Sequence, residues 1–534
     1  MRNFSKRIAQ LSPAQLETLR LRLKSKETAP AISEAKISAR AKDTNIVPQS
    51  FGQQRLWILD KLKPGNPAYN IPTPMRFVGE LDIEILERVL SEIVRRHESL
   101  RTRFSSTDQE PVQIIEPFYQ VSLPIVDLSH LAEEGREKEA IKLGNQDARE
   151  AFDLSQAPLW RAKLLRTSET DNTLLLTTHH IVTDAWSLSV LVREVVQLYK
   201  AFSQGQSSPL PELTIQYADY SIWQREWLQG EVLDTQLSYW KRALAGAPVL
   251  LELPTDRTRP SVQTFNGAKA PIQLSKELSE ALVELSRRQG ATLFMTLLAA
   301  FKVLLYRYTH QTDIVVGSAV ANRKNSDVEK LIGFFVNTVA IRTNLSGNPR
   351  FCDFLQQVRD AALEAFSHQD VPFERVVEEV TPERNLSHSP LFQTVFALQN
   401  IRMEPWELPG LTLSSMELDG GHAKFDISLS LMNSDHGIRG RLEYNTDLFE
   451  EKTITQMIVH LQELLKSICA APEERLQTLP LLSAEEERDF SRWDETGEEY
   501  GETDVVERFE EMVEERGEAV AVVDERRRWS YVEL

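Results

Sequence analysis

The sequence predicts a two-lobed body that mixes helices and strands, α/β or α+β. Helical and strand periodicities alternate along the chain, and they do so in two successive sets. A stretch rich in Pro and aromatic residues, near 208–260, separates the sets and reads as a crossover. The length agrees: 534 residues, at ~150 per domain, allow three or four units.

Taken in order, residues 1–26 read as one short helix. Ser12 is placed to cap it, Pro13 suits a first turn, and Leu16, Leu19 and Leu23 recur at helical spacing. Residues 27–45 have no aromatic and few large apolar residues, so they read as a linker. The body begins at Ile46. LDIEILERVLSEIVRRHESL (81–100) carries the 3.6-residue period of an amphipathic helix, and TLLLTTHH (173–180) is a short apolar run typical of a buried strand. WSLSVLVREVVQLYKAF (186–202) marks another helix through Leu188, Leu191, Val195 and Leu198. The second set holds helices over 277–290 and 292–309 and a strand-like DIVVGSAVA (313–321). From 481 onward the pattern gives a helix over 504–516 and a strand over 519–523. A piece that short buries no core of its own and reads as the beginning of a following domain.

Composition narrows the function classes. Hydrophobic residues make up 41% and charged residues 26%, the balance of a globular chain. The net charge of −18 argues against a nucleic-acid binder. No apolar run approaches the ~18 residues of a membrane span, and the N-terminus lacks a signal-type core, so a cytoplasmic protein is expected. Cys352 and Cys469 are too few for a disulfide framework or a cysteine zinc site. The charge is uneven: residues 1–50 carry a net +6 and residues 485–534 a net −12.

One constellation carries chemistry. His179 and His180 form the only adjacent pair among ten histidines, in THHIVTDAWS (178–187). Neighbouring strand residues point to opposite faces, so only one of the two can face a given cavity. That divergence also disfavours a metal site built from two His and a carboxylate. Asp184 precedes the helix that starts near Trp186 and suits an N-cap, a structural role favoured over direct catalysis. A His of near-neutral pKa beside helix-start N–H groups suits acyl transfer, with a proton acceptor and donors for an oxyanion.

HHIVTDAWS resembles the HHxxxDG signature of condensation domains from nonribosomal peptide synthetases. Six further stretches match that family in order. SFGQQRLWILDKL (50–62) resembles SxAQxRLWxL, RHESLRTRF (96–104) resembles RHExLRTxF, and YADYSIW (217–223) resembles YxDYAxW. IGFFVNTVAIR (332–342), HQDVPFE (368–374) and RNLSHSPLFQ (384–393) resemble the three later motifs. The likeness covers about 46–480, and the tail resembles the opening of an adenylation domain.

The resemblance implies two chloramphenicol-acetyltransferase-like lobes, 46–220 and 221–480, set as a V-shaped pseudo-dimer around a central tunnel. Residues 481–534 would be a linker and the truncated start of an adenylation domain. It implies His180 as the catalytic residue and His179 as its packed neighbour. Asp184 would be structural and paired with an arginine, for which Arg55 is the candidate. Ala185 and Trp186 would support the site, Asn337, Gln369 and Asp370 would be further motif residues, and the IGFFVNT segment would be framework. The implied reaction joins an upstream acyl or peptidyl thioester to the amine of a downstream aminoacyl thioester. The domain would bind no metal and no cofactor of its own. Its partners would be donor and acceptor carrier domains bearing phosphopantetheine, with a downstream adenylation domain in the same chain and neither nucleic acid nor membrane.

HQDVPFE with RHESLRTRF leans towards the elongation subtype joining an L-donor to an L-acceptor. A D-donor subtype and a noncatalytic scaffold are the competing readings. The family's Gly after the Asp is Ala185 here, which a negative φ would tolerate. LDGGHAKF (418–425) echoes a carrier attachment sequence, but Ala423 stands at the serine position, so the stretch reads as leading into a strand.

Overall fold

In the computed structural model, described residues are 36–494 and 504–534, apart from positions 42, 381–384, 400–405, 409, 417, 419 and 525. The helix expected in 1–26 lies outside them. The chain divides into two compact units, at Leu481 and Leu482.

Helix and strand alternate in the first unit as the sequence predicts. Strands β1 (Ile46–Pro48), β2 (Asn70–Pro72), β3 (Met75–Gly79), β4 (Thr102–Thr107), β5 (Glu110–Ile115), β6 (Ile125–Asp127), β7 (Trp160–Ser168) and β8 (Asp171–His179) come from its first part. Helices α1 (Phe51–Leu62), α2 (Ile83–Arg96), α3 (Glu133–Arg149) and α4 (Ala185–Ser203) accompany them. Asp82 caps α2, and the helix ends at Arg96 with a 3-10 turn beyond its His97 cap, four residues short of the span its periodicity suggests. The 208–260 crossover is itself helical over α5 (Tyr217–Trp227) and α6 (Gly230–Leu244). The second part supplies β9 (Gly267–Gln273), β10 (Asp313–Val320), β11 (Asn337–Asn344), β12 (Thr394–Gln399), β13 (Trp406–Leu408), β14 (Leu411–Ser415), β15 (Ile427–Ser434) and β16 (Gly437–Asn445). Its helices are α7 (Lys276–Arg288), α8 (Leu293–Thr309), α9 (Phe351–Ser367), α10 (Phe373–Val380) and α11 (Glu451–Ala470).

Two large sheets result. The first runs β13-β14-β3-β8-β7-β6, with β2 also on β8; the second runs β11-β10-β12-β15-β16-β9. The second part lends two strands to the first sheet, because β14 pairs antiparallel with β3, Leu411 opposite Gly79 and Ser415 opposite Met75. Each sheet has its own core. The first is packed by α2 and α4 through Leu86, Val89, Val195 and Leu198. The second is packed by α8, whose inward residues from Met295 to Tyr306 are all buried. A smaller cluster joins the two parts, drawing Leu56, Phe104, Ile181 and Val182 from the first and Tyr217, Leu331, Phe334 and Phe335 from beyond it. The paired histidines stand at its edge.

Residues 36–45, expected as linker, are tied to this body: Ile37 is 2% exposed, and Arg40 pairs with Glu98 at 2.6 Å and Asp219 at 3.1 Å. The second unit holds α12 (Ala484–Asp494), α13 (Val505–Arg516), and a hairpin of β17 (Val520–Val523) and β18 (Arg528–Ser530). No single helix among the described residues is long and apolar enough to cross a membrane.

Candidate active site

β8 is buried along its length, and Leu174, Leu175 and Leu176 fix it between β3 and β7. The strand ends at His179, and His180 opens a 3-10 turn, so strand-to-turn geometry separates the two rings. His179 is 4% exposed and its Nδ1 accepts the Ile181 N–H at 3.1 Å. Tyr69 and Phe152 pack its ring at 6.3 and 6.1 Å between centroids.

His180 is different. Its Nδ1 lies 2.8 Å from the Thr183 carbonyl oxygen. A carbonyl only accepts, so this contact assigns the ring proton to Nδ1 and leaves Nε2 a lone-pair acceptor. The ring stands edge-on to Phe334 at 4.9 Å and is half-buried. Burial, followed by the charge of Lys424, pushes the His180 imidazole down to about 3. Burial likewise, with the neighbouring His180 and Lys424, holds His179 near 3. Both rings are neutral at pH 7.

The Asp184 carboxylate is taken up by scaffold contacts. It caps α4 by accepting the Ser187 N–H at 2.7 Å, and it accepts the Phe335 N–H at 3.0 Å. Its arginine is Arg323, at 3.2 Å, with the two side chains 1% and 2% exposed. Arg55, the expected partner, instead pairs with Glu374 of α10 at 2.8 Å. The correction has a geometric cause: Arg323 follows β10 in the second part and inserts between Phe335 and Trp186, 4.0 and 5.9 Å from their rings. It also donates to Ser187 Oγ at 2.7 Å and Leu331 O at 2.8 Å. One buried cation thereby joins α4 to the segment before β11.

Ala185 is the first residue of α4, lies outside the left-handed region, and is exposed. The backbone there makes no demand for glycine. Trp186 Nε1 donates to Glu329 O at 2.9 Å. Asn337 clamps the 369–373 loop: its Nδ2 donates to Gln369 O and Val371 O at 2.8 and 2.7 Å, and its Oδ1 accepts the Phe373 N–H at 3.1 Å. The Gln369 side chain turns back to Phe366 O at 2.6 Å, and Asp370 accepts from Lys324 at 2.7 Å and Gln236 at 3.0 Å. A small open recess lies beside Arg55, Phe334, Asn337, Asp370 and Glu374.

Three groups at the site lie outside the residues singled out from sequence. Tyr217 is fully buried, donating to Phe334 O at 2.6 Å and meeting Ser50 Oγ at 2.8 Å; its motif flagged the segment but not this side chain. Arg323 has no local signal that separates it from the other arginines. Lys424 sits inside LDGGHAKF, a stretch otherwise read only as the approach to a strand. Among the described residues no group of three or more His, Cys, Asp or Glu is placed to hold a metal.

The model of the family described as Condensation domain matches residues 43–490. A linear gramicidin synthase polypeptide of Brevibacillus parabrevis is 48% identical over 492 residues, covering 91% of this chain and 6% of that protein. Phosphinothricin tripeptide synthetase PhsC of Streptomyces viridochromogenes is 41% identical over 492 residues, 91% of this chain and 45% of that one. The chain thus spans less than half the length of these relatives. Among solved structures, the X-domain in complex with OxyB from teicoplanin biosynthesis superposes with a TM-score of 0.76 at 29% identity, covering 85% of this chain and 100% of that one. A four-domain nonribosomal peptide synthetase, holo-AB3403 bound to AMP and glycine, gives 0.77 at 26% identity over 91% of this chain and 38% of that one. The chain belongs to the condensation domains of nonribosomal peptide synthetases.

Proposed function

We propose that this domain joins an acyl or peptidyl thioester on an upstream carrier to the α-amine of an aminoacyl thioester on a downstream carrier. The carrying observation is His180: its Nδ1 proton is engaged by Thr183 O, so Nε2 is left as an acceptor on a partly open ring. An amine N–H directed at Nε2 is aligned for attack on the donor carbonyl. The C–N bond forms, the carbonyl electrons pass through an oxyanion, the C–S bond breaks, and the thiolate leaves on the donor's phosphopantetheine. A positioned acceptor of this kind is worth about 10²–10⁴-fold, and holding both thioesters together supplies further rate. The L-donor, L-acceptor subtype follows from the HQDVPFE and RHESLRTRF likeness, and residues 481–534 read as a linker and the start of an adenylation domain.

The test is dipeptide formation from loaded donor and acceptor carriers, with His180→Ala beside the wild type. A loss of about 10²–10⁴-fold is expected; undiminished product would overturn the assignment of His180. D- and L-donors run side by side decide the subtype. Absence of product from the wild type with every donor would favour a recruiting role, the reading that the likeness to an X-domain solved with OxyB supports.

A further inference from the structure

LDGGHAKF lacks the serine of a carrier, yet the fold holds it in place at several points. The Ala423 N–H donates to Phe265 O at 2.9 Å, the Gly267 N–H to Gly421 O at 3.0 Å, and Gln263 Nε2 to the Lys424 carbonyl at 3.1 Å. Gly421 adopts φ +67°, and a Cβ on Gly267 would stand 2.4 Å from Ala423 N. Lys424 therefore leaves a fixed backbone three residues before β15, in the second sheet, and reaches the first part of the molecule. Its Nζ lies 4.6 Å from the centre of the Tyr69 ring, the ring that packs on His179.

Among the described residues no hydrogen bond or ion pair engages that ammonium. A half-buried cation that meets a ring face and a shared carboxylate but no hydrogen-bond acceptor opposes folding, so its placement calls for another use. The charged and titratable groups facing it are His179 and His180 at the end of β8, Tyr69 before β2, Arg55 of α1 with its partner Glu374, and Glu443 of β16, which lies opposite Lys269 of β9. Glu443 is the one carboxylate near enough to act on it, and Glu443 is shared with Lys269 and Arg441. Burial lowers the Lys424 ammonium to about 8, so it keeps its charge at pH 7 and the balance at the histidines there stays positive.

We propose that Lys424 is a positioning residue for acyl transfer, reaching across from the second sheet to set the histidine pocket against further positive charge. This rests on the amide-forming reading above. The acceptor amine then enters uncharged with its lone pair available, and the electron pair displaced onto the carbonyl oxygen meets a favourable field. His180 serves as a neutral acceptor that aligns the amine. When the C–S bond breaks, the amine's proton ends on the departing thiolate, so no charge is left on the imidazole.

The experiment is single-turnover dipeptide formation by the whole chain with separately loaded carriers, from pH 6 to pH 9. Lys424→Met is expected to lose at least about tenfold at pH 7, the effect of a unit charge about 12 Å from the reacting atoms at an effective dielectric near 20. The wild-type rate is expected to fall above about pH 8, as Lys424 loses its proton; Lys424→Met loses that alkaline limb, Lys424→Arg restores the rate and carries the limb to higher pH, and Lys424→Glu is slower than Met with no such limb. A rate lowered by one factor at every pH, with the limb unmoved in both Met and Glu variants, would overturn the proposal. In parallel, ¹⁵N shifts of the His180 ring follow its protonation without turnover, and Lys424→Glu is expected to raise its midpoint. His180→Ala separates the two readings. If it loses activity while the Lys424 variants leave limb and ring shifts unmoved, only the role of Lys424 fails. If it retains full activity, the catalytic assignment fails first.

Discussion

Replacing Arg323 by Met leaves the Asp184 carboxylate, 2% exposed, without its cation. Two backbone donors remain, the N–H groups of Ser187 and Phe335, but the charge is uncompensated. Breaking a buried pair in this way costs about 3–5 kcal/mol. Arg323→Met also strips donors from the Val328 and Leu331 carbonyls and from Ser187 Oγ, which places the cost towards the upper end. The counterpart is Arg55→Met. Arg55 and Glu374 are 28% and 29% exposed, and a pair screened by solvent contributes about 0–1 kcal/mol. Denaturant unfolding of both variants, and of each combined with Asp184→Asn, isolates the coupling. A coupling of at least about 2 kcal/mol is expected between Arg323 and Asp184, and about zero between Arg55 and Asp184. Coupling in the Arg55 cycle and none in the Arg323 cycle would refute the reasoning and restore the pairing expected from sequence. Function should follow stability in the Arg323 variant, because Asp184 holds Phe335 and the adjacent Phe334 packs on His180.

Other perturbations test neighbouring parts of the site. Ala185→Gly is expected to change the dipeptide rate by less than about twofold and to cost at most about 0.5–1 kcal/mol, since a helix start with negative φ gains nothing from glycine; a large rate gain would show that the methyl obstructs substrate. Gly333→Ala is expected to destabilise by about 1–3 kcal/mol, because the new Cβ would lie 2.0 Å from the Tyr217 ring, which is held by Phe334 O and Ser50; a melting temperature equal to wild type would contradict the packing. For pH dependence, His179 titrates near 3 folded and about 6.5 unfolded, so between these values only the unfolded chain takes up the proton. Stability contributed by the neutral ring is present above about pH 6.5 and is lost as pH falls towards 3, at no more than about 1.4 kcal/mol per pH unit. His179→Phe should flatten that acid slope, and denaturant midpoints from pH 7 to 4.5 that keep the wild-type slope would count against it.

What could be read from the sequence was what local periodicity encodes. α4, α7 and α8 follow from apolar residues at helical spacing, and β8 and β10 from short apolar runs. Partner choice is another matter. That β14 adds to β3 across more than 330 residues of sequence, or that Arg323 reaches Asp184 across 139, depends on how the sheets stack, which no window of sequence contains. The same limit explains Arg55. Its motif lies early in the chain, but α1 meets α10 and Glu374, while Asp184 lies under the segment before β11.

The matched stretches also differ in what they contribute. Ser50 and Gln53 form the cap of α1, Tyr217 fastens the Phe334 carbonyl, Asp184 caps α4, and Asn337 clamps the 369–373 loop. Each of these polar groups is spent on backbone N–H or C=O groups near the histidine pair. Such bonds are what irregular segments need when they are buried, since an unmet backbone group costs about 1–3 kcal/mol. The motif pattern is therefore mainly a specification of scaffold, holding loops from both parts of the chain against one another. In the proposed function the chemistry is left to a single imidazole edge. A chain could keep every one of these capping and clamping groups and be inert; under the proposed function it is His180 Nε2, with the charge Lys424 would bring to it, that separates a condensing domain from a copy of its frame.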